Sequence, residues 1–136
     1  MTDIILCGCC GNMGNVITSL CENDDTVHIV AGVDAFDSGK APYPVYPSFE
    51  VLDVKADVII DFSNPAVLDD MLNYAKRTDT PVVVATTGYD EEQIKKIHEA
   101  SKKIGIFFTF NMSLGINLMC ALAKSATKVL GESFDI

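Results

Sequence analysis

Apolar segments of strand length alternate along this chain with longer stretches of helical spacing, the pattern of a parallel sheet covered by helices on both faces. The first apolar run predicts a strand over Ile4 to Gly8. Asn15 to Cys21 predicts a helix with Val16, Ile17 and Leu20 on one face, ended by Asn23-Asp24-Asp25. A second strand is expected from His28 to Val33. Between Phe36 and Ser48 lie Gly39 and prolines 42, 44 and 47; proline cannot donate to a strand ladder, so this stretch predicts a surface connection and not a core strand. Phe49 to Val54 is expected to form a short helical turn.

Three further strands are predicted, at Ala56–Phe62, Pro81–Ala85 and Ile106–Phe110. The helix after Ser63-Asn64-Pro65 carries an apolar stripe of Leu68, Met71, Leu72 and Ala75, with proline suiting its first turn. The next opens at Asp90 with Gln93 three residues on, a capping arrangement. A last helix runs through Leu118, Leu122 and Ala126 to Leu130, where Gly131 can cap it, and Phe134-Asp135-Ile136 reads as the start of another strand.

Length and composition narrow the classes. A chain of 136 residues is expected to form one domain, burying roughly two thirds of its unfolded surface. No membrane span and no signal peptide are visible, so a cytoplasmic location is expected. A net charge of −9 argues against nucleic acid, whose binding relies on clustered Lys and Arg, but leaves a mononucleotide or dinucleotide held by backbone amides. Cysteines stand at 7, 9, 10, 21 and 120; their spacing matches neither paired zinc knuckles nor a ferredoxin run, so no metal is expected and buried, reduced thiols are, a redox or metal protein built on Cys7, Cys9 and Cys10 being the weaker alternative.

Gly8-Cys9-Cys10-Gly11-Asn12-Met13-Gly14 sits where the first strand hands over to the first helix. Glycines there let the backbone turn sharply and approach a pyrophosphate, which meets the unpaired N–H groups and positive dipole end of the helix. The spacing G-x-x-G-x-x-G is less specific than G-x-G-x-x-G, and a glycine-rich turn without function is the plainer alternative. Asp34 ends the second strand twenty residues beyond Gly14. A carboxylate there can accept hydrogen bonds from both ribose hydroxyls of an adenosine, although an acid in a turn is also common. A 2′-phosphate at close range would meet a repulsion of a few kcal/mol at an effective dielectric of about 20. The next residue is Ala35 and the nearest downstream cation is Lys40, so NAD(H) is expected to be preferred over NADP(H). Together the pattern and the loop predict an α/β, Rossmann-like doubly wound parallel sheet.

Four motifs in order, Gly8 to Gly14, Asp61-Phe62-Ser63-Asn64-Pro65, Thr86-Thr87-Gly88 and Asn111-Met112-Ser113-Leu114-Gly115-Ile116-Asn117, resemble the amino-terminal half of the dihydrodipicolinate reductase (4-hydroxy-tetrahydrodipicolinate reductase) family. The resemblance spans essentially the whole chain, and the last motif is its most specific part. It implies an NAD(P)H-dependent reductase of diaminopimelate and lysine biosynthesis that acts on a small cyclic dicarboxylate, its full-length form being a homotetramer. By the same resemblance Gly8, Cys9, Cys10, Gly11, Asn12 and Met13 wrap the pyrophosphate and Asp34 takes the ribose. Ala85, Thr86, Thr87, Thr109, Phe110, Asn111 and Met112 line the nicotinamide end. Family members often carry arginine after the ribose acid; Ala35 departs from that, in keeping with NADH while admitting NADPH.

A second departure is larger. The family's substrate domain, with its Glu-x-His-His-x-x-Lys motif and Ser-Gly-Thr loop, has no counterpart in residues 1–136, and neither His28 nor His98 matches it. The expectation is a dinucleotide-binding domain over 1–136 that contains no catalytic residue and binds cofactor with little turnover. An NAD-sensing regulatory module would share the glycine loop and the ribose acid. It has no evident need for Thr86-Thr87-Gly88 or the Asn111 to Asn117 motif.

Overall fold

The computed structural model describes residues 1–109 and 111–131. Six parallel strands form one sheet in the order β3-β2-β1-β4-β5-β6: β1 Thr2–Cys7, β2 Val27–Val33, β3 Val45–Tyr46, β4 Val58–Asp61, β5 Val82–Val84 and β6 Ile106–Phe108. The α-helices are α1 Asn12–Cys21, α2 Leu68–Thr78, α3 Glu91–Ala100 and α4 Leu114–Leu130, with a 3₁₀ turn at Pro65–Val67 leading into α2. This is the doubly wound α/β architecture expected from the alternating pattern.

Two-residue periodicity in β1 divides the core. Ile5 and Cys7 face one side and pack in a cluster with Ile59, Leu68, Met71, Leu72, Ala75, Val84 and Ile97, so α2 and α3 cover this face. Ile4 and Leu6 face the other, where Ile29, Cys9, Ile17 and Cys21 cover them. Each buried Ile or Leu stabilises the fold by roughly 1.5–3 kcal/mol, which makes these two layers the main support of the loop ends above them. The stripe expected on α2 is buried throughout. Its start is fixed by the Asn64 side chain accepting from the Ala66 N–H, and its end by Asp79 in a left-handed conformation (φ 55°). The expected capping box of α3 is present: the Asp90 carboxylate accepts from the Gln93 N–H at 2.8 Å, and the Gln93 side chain accepts from the Asp90 N–H at 3.1 Å.

Four expectations are corrected. Helix α1 begins at Asn12, not Asn15, so Asn12 to Gly14 form its first turn. Val16 (51 % exposed) and Leu20 (65 %) do not face the sheet; Ile17 and Cys21 do, and buried Gly14 sits against the Gly8 and Cys9 carbonyls of the loop after β1, where a side chain has no room. Third, the proline-rich segment does contain a strand. Val45–Tyr46 pairs with β2 at the sheet edge, where Pro44 needs no donor because its carbonyl accepts from the Gly32 N–H at 2.9 Å. Fourth, Phe49 to Val54 forms turns without a helix, Phe49 being buried against Tyr74 with ring centroids 5.4 Å apart. The Tyr74 hydroxyl donates to the Val54 carbonyl and ties this segment to α2.

Helix α4 opens at Ser113, whose hydroxyl accepts from the Ile116 N–H at 3.4 Å, and ends at Gly131 (φ 68°), as expected for a glycine cap. Its side chains are exposed along its length. Phe110 and the strand expected at Phe134 to Ile136 lie outside the described residues. No helix among the described residues is long and apolar enough to cross a membrane.

Candidate functional site

The strand order reverses direction at β1, whose neighbours β2 and β4 lead the chain to opposite sides of the sheet. At such a switch point the loops leaving the strand ends diverge and open a crevice. Here the crevice is a cavity of ≈ 450 Å³ lined by Gly8 and Gly11 after β1, Asp34 and Ala35 after β2, and Phe62, Ser63 and Asn64 after β4. Pro47, Ser48 and Phe49 close one side, and Ala66, Val67 and Asp70 another.

The loop after β1 has its shape because two glycines admit close backbone contacts. Gly8 has φ 77°, and a Cβ there would lie 2.6 Å from the Phe62 carbonyl oxygen. At Gly14 a Cβ would lie 2.3 Å from the Gly8 carbonyl oxygen, so the first turn of α1 rests directly on the loop. Gly11 is the N-cap of α1 and supplies no side-chain cap, leaving first-turn amides that an anion can meet. Asp34 closes the loop from the side: its Oδ2 accepts from the Cys10 N–H at 3.0 Å and its Oδ1 from the Phe36 N–H at 3.1 Å.

A second cavity of ≈ 310 Å³ lies beyond Phe62 and Ser63, lined also by Met13, Ala85, Thr86, Thr87 and Met112. Thr86 is buried, with its hydroxyl beside the Tyr89 phenol but making no hydrogen bond of full geometry among the described residues. Thr109 and Asn111, expected at the nicotinamide end, line neither cavity; the Thr109 N–H donates to the Val84 carbonyl at 3.1 Å, and the Thr109 hydroxyl accepts from the Asn111 N–H at 3.3 Å.

Beneath the two cavities, buried Asp61 at the end of β4 accepts from the Ser63 hydroxyl at 2.5 Å and the Tyr89 hydroxyl at 3.1 Å. Burial, with the Asp61 charge second, pushes the Tyr89 phenol well above its usual value and also raises Cys7. The Tyr89 phenol and the Cys7 thiol are therefore neutral at physiological pH, and the Ser63 and Tyr89 hydroxyls tie the loop after β4 to Asp61.

The structure thus places Gly8, Gly11 and Asp34 on the first cavity and Met13, Ala85, Thr86, Thr87 and Met112 on the second. Cys9 is buried below the loop, Cys10 meets Asp34 through its backbone, and Asn12 begins α1. Phe110, expected at the nicotinamide end, lies outside the described residues. The sequence reading missed Phe62 and Ser63, which line both cavities; the Asp61 to Pro65 motif was their signal. Phe49 and Asp70 had none, since their approach depends on how the segment after β3 and helix α2 pack. Of the thiols expected to be buried, Cys7 and Cys9 are; Cys10 and Cys21 are intermediate and Cys120 is exposed.

Residues 2–112 match the family model described as dihydrodipicolinate reductase, N-terminus. The 4-hydroxy-tetrahydrodipicolinate reductase of Clostridium novyi is 44 % identical over 136 residues, covering 100 % of this chain and 54 % of that protein. That of Caldanaerobacter subterraneus subsp. tengcongensis is 43 % identical, covering 100 % of this chain and 53 % of that protein. The chain therefore spans about half the length of the curated relatives it matches. Among solved structures, a dipicolinate-bound dihydrodipicolinate reductase from Paenisporosarcina sp. TG-14 superposes with a TM-score of 0.76 at 23 % identity, covering 93 % of this chain and 54 % of that one. A myo-inositol dehydrogenase from Lactobacillus casei in complex with NAD(H) and myo-inositol gives 0.63 at 18 % identity, covering 93 % and 42 %. These two likenesses show the shared fold. With the family model matched over most of its length and relatives above 40 % identity across all of it, the chain belongs to the dihydrodipicolinate reductase family as its amino-terminal, nucleotide-binding part.

Proposed function

We propose that residues 1–136 form the dinucleotide-binding domain of a 4-hydroxy-tetrahydrodipicolinate reductase and hold NADH in preference to NADPH. The observation that carries this reading is the closure of the glycine loop on Asp34 at the sheet's switch point. Gly8 to Met13 hold the pyrophosphate with backbone amides, and Asp34 accepts from the adenosine ribose hydroxyls. The first cavity takes the adenosine end, and the second takes the nicotinamide end, with Ala85, Thr86, Thr87, Thr109, Phe110, Asn111 and Met112 around it.

Among the described residues the first cavity is lined by two acids, Asp34 and Asp70, and by no Lys or Arg. A 2′-phosphate there gains no compensating cation and is repelled by Asp34, which favours NADH.

The nicotinamide, when bound, supplies the hydride. This chain's residues contribute position: the loop and α1 fix the pyrophosphate, while Asp61, through Ser63 and Tyr89, fixes the strand ends around the ring site. In the complete reductase the acceptor is the small cyclic dicarboxylate and the assembly is a homotetramer. Residues 1–136 by themselves bind cofactor with negligible turnover.

Parallel titrations of the purified chain with NADH and NADPH, by fluorescence and calorimetry, test this. Saturable binding with NADH tighter is expected; no binding by a demonstrably folded chain would overturn it. Addition of the carboxy-terminal half of a relative should restore reductase turnover if the chain is an enzyme domain, and would not if it is an NAD sensor.

A further inference from the structure

We propose that Cys9, Cys10 and Asp34 form a site for one thiophilic divalent cation of the zinc class, and that this cation and the dinucleotide exclude each other. The exclusion rests on the dinucleotide reading above; the metal site does not. Adjacent cysteines alone gave no recognised ligand spacing. The fold adds the third donor from 24 residues away, at the end of β2. One ligand atom from each residue lies within 4.8 Å of the others.

The spacing suits tetrahedral coordination. The two Sγ atoms are 3.9 Å apart. Two bonds of about 2.3 Å at a tetrahedral metal place their sulfurs about 3.8 Å apart, so little movement is needed. Three protein donors leave a fourth position for water, as in open zinc sites.

The donors are also held by their surroundings, as metal ligands usually are. Cys9 is buried against Gly32, where a Cβ would stand 2.5 Å from its Sγ, so only glycine leaves room for the thiol. The bond from the Cys10 N–H to Asp34 Oδ2 fixes two donors relative to each other, and the Phe36 N–H holds the other carboxylate oxygen. The Ser38 hydroxyl lies 3.9 Å from Cys10 Sγ. Cation binding occupies the Asp34 carboxylate and the loop that the ribose and pyrophosphate require.

The test is a Cd²⁺ titration of the chain in a non-thiol reductant, followed by the ultraviolet thiolate-to-cadmium charge-transfer band, with Zn²⁺ as competitor. One equivalent is expected to bind, with Zn²⁺ displacing it. The band should vanish in Cys9→Ser/Cys10→Ser and persist in Cys21→Ser and Cys120→Ser, and Asp34→Asn should weaken binding by about tenfold or more. Should the double variant fail to fold, Cys10→Ser alone, at a half-exposed position, must still lose part of the band. Absence of the band, or its survival in either variant at full strength, overturns the site. Adding NADH should release the metal. If NADH binds the metal-free chain yet releases none, the exclusion is wrong; if NADH does not bind the metal-free chain, the dinucleotide reading fails while the charge-transfer result still decides the metal site.

Discussion

The Asp34 carboxylate, at the end of β2, accepts a hydrogen bond from the backbone N–H of Cys10 at 3.0 Å, in the loop that follows β1. One side chain therefore both shapes the glycine loop and faces the first cavity. Asp34→Ala should weaken NADH by about tenfold or more, since hydrogen bonds to a charged group contribute about 1.5–3 kcal/mol. NADPH should lose less, because the repulsion of its 2′-phosphate goes too. Parallel fluorescence titrations measure both, and unchanged affinity for the two cofactors would remove Asp34 from the site.

Gly14 and Gly11 separate packing from binding. A Cβ at Gly14 meets two carbonyl oxygens, at 2.3 Å and 2.5 Å, so Gly14→Ala should cost about 2–4 kcal/mol of stability in chemical denaturation. At Gly11 the nearest atom to a Cβ is the Gly8 carbonyl oxygen at 3.3 Å. Gly11→Val should leave the denaturation midpoint much less changed while obstructing pyrophosphate. Unaltered NADH binding in folded Gly11→Val would contradict the loop assignment.

Tyr89 is joined to buried Asp61 at 3.1 Å. Tyr89→Phe removes one of the hydrogen bonds Asp61 accepts and should cost about 1–3 kcal/mol. NADH affinity should fall with it if this pair positions the strand ends. A stability loss with affinity unchanged would confine the pair to a structural role.

Alkaline pH should destabilise the fold. Cys9 is raised from 9.0 to about 12, and Cys7 and Tyr89 are raised as well, each chiefly by burial. Above about pH 9 the unfolded chain releases protons that the folded chain retains, so the folded state binds more protons and stability falls as pH rises. Below that value all three are protonated in both states and their contribution is constant. The Tm by calorimetry should hold from neutral pH to about 9 and then decline. A flat profile to pH 11 would show that these groups ionise freely in the fold.

Asp90→Ala breaks the α3 capping box away from both cavities and should cost about 1 kcal/mol without altering cofactor affinity. It serves as the control for the other variants, and a matching affinity loss would show that affinity merely tracks stability.

The sequence by itself determined the α/β class, the order of the four helices and of every described strand but β3, the α3 cap, the glycine loop and the acid twenty residues beyond it. Those features are local: alternation, helical spacing and special residues act within a few positions of themselves, and the four ordered motifs carried the family. Only the tertiary structure decided which face of α1 is buried, because Val16 and Leu20 are as apolar as Ile17, and the contact of Gly14 with the loop after β1 sets the helix's rotation. It decided that Val45–Tyr46 pairs at the sheet edge, since pairing depends on what β2 offers and not on the prolines alone. It likewise brought Asp34 to Cys10, and Phe62 and Ser63 between the two cavities. The pairing of β3 joins residues 13 positions apart and the bond of Asp34 to Cys10 residues 24 apart, where the register of parallel strands, and no local propensity, sets the distance.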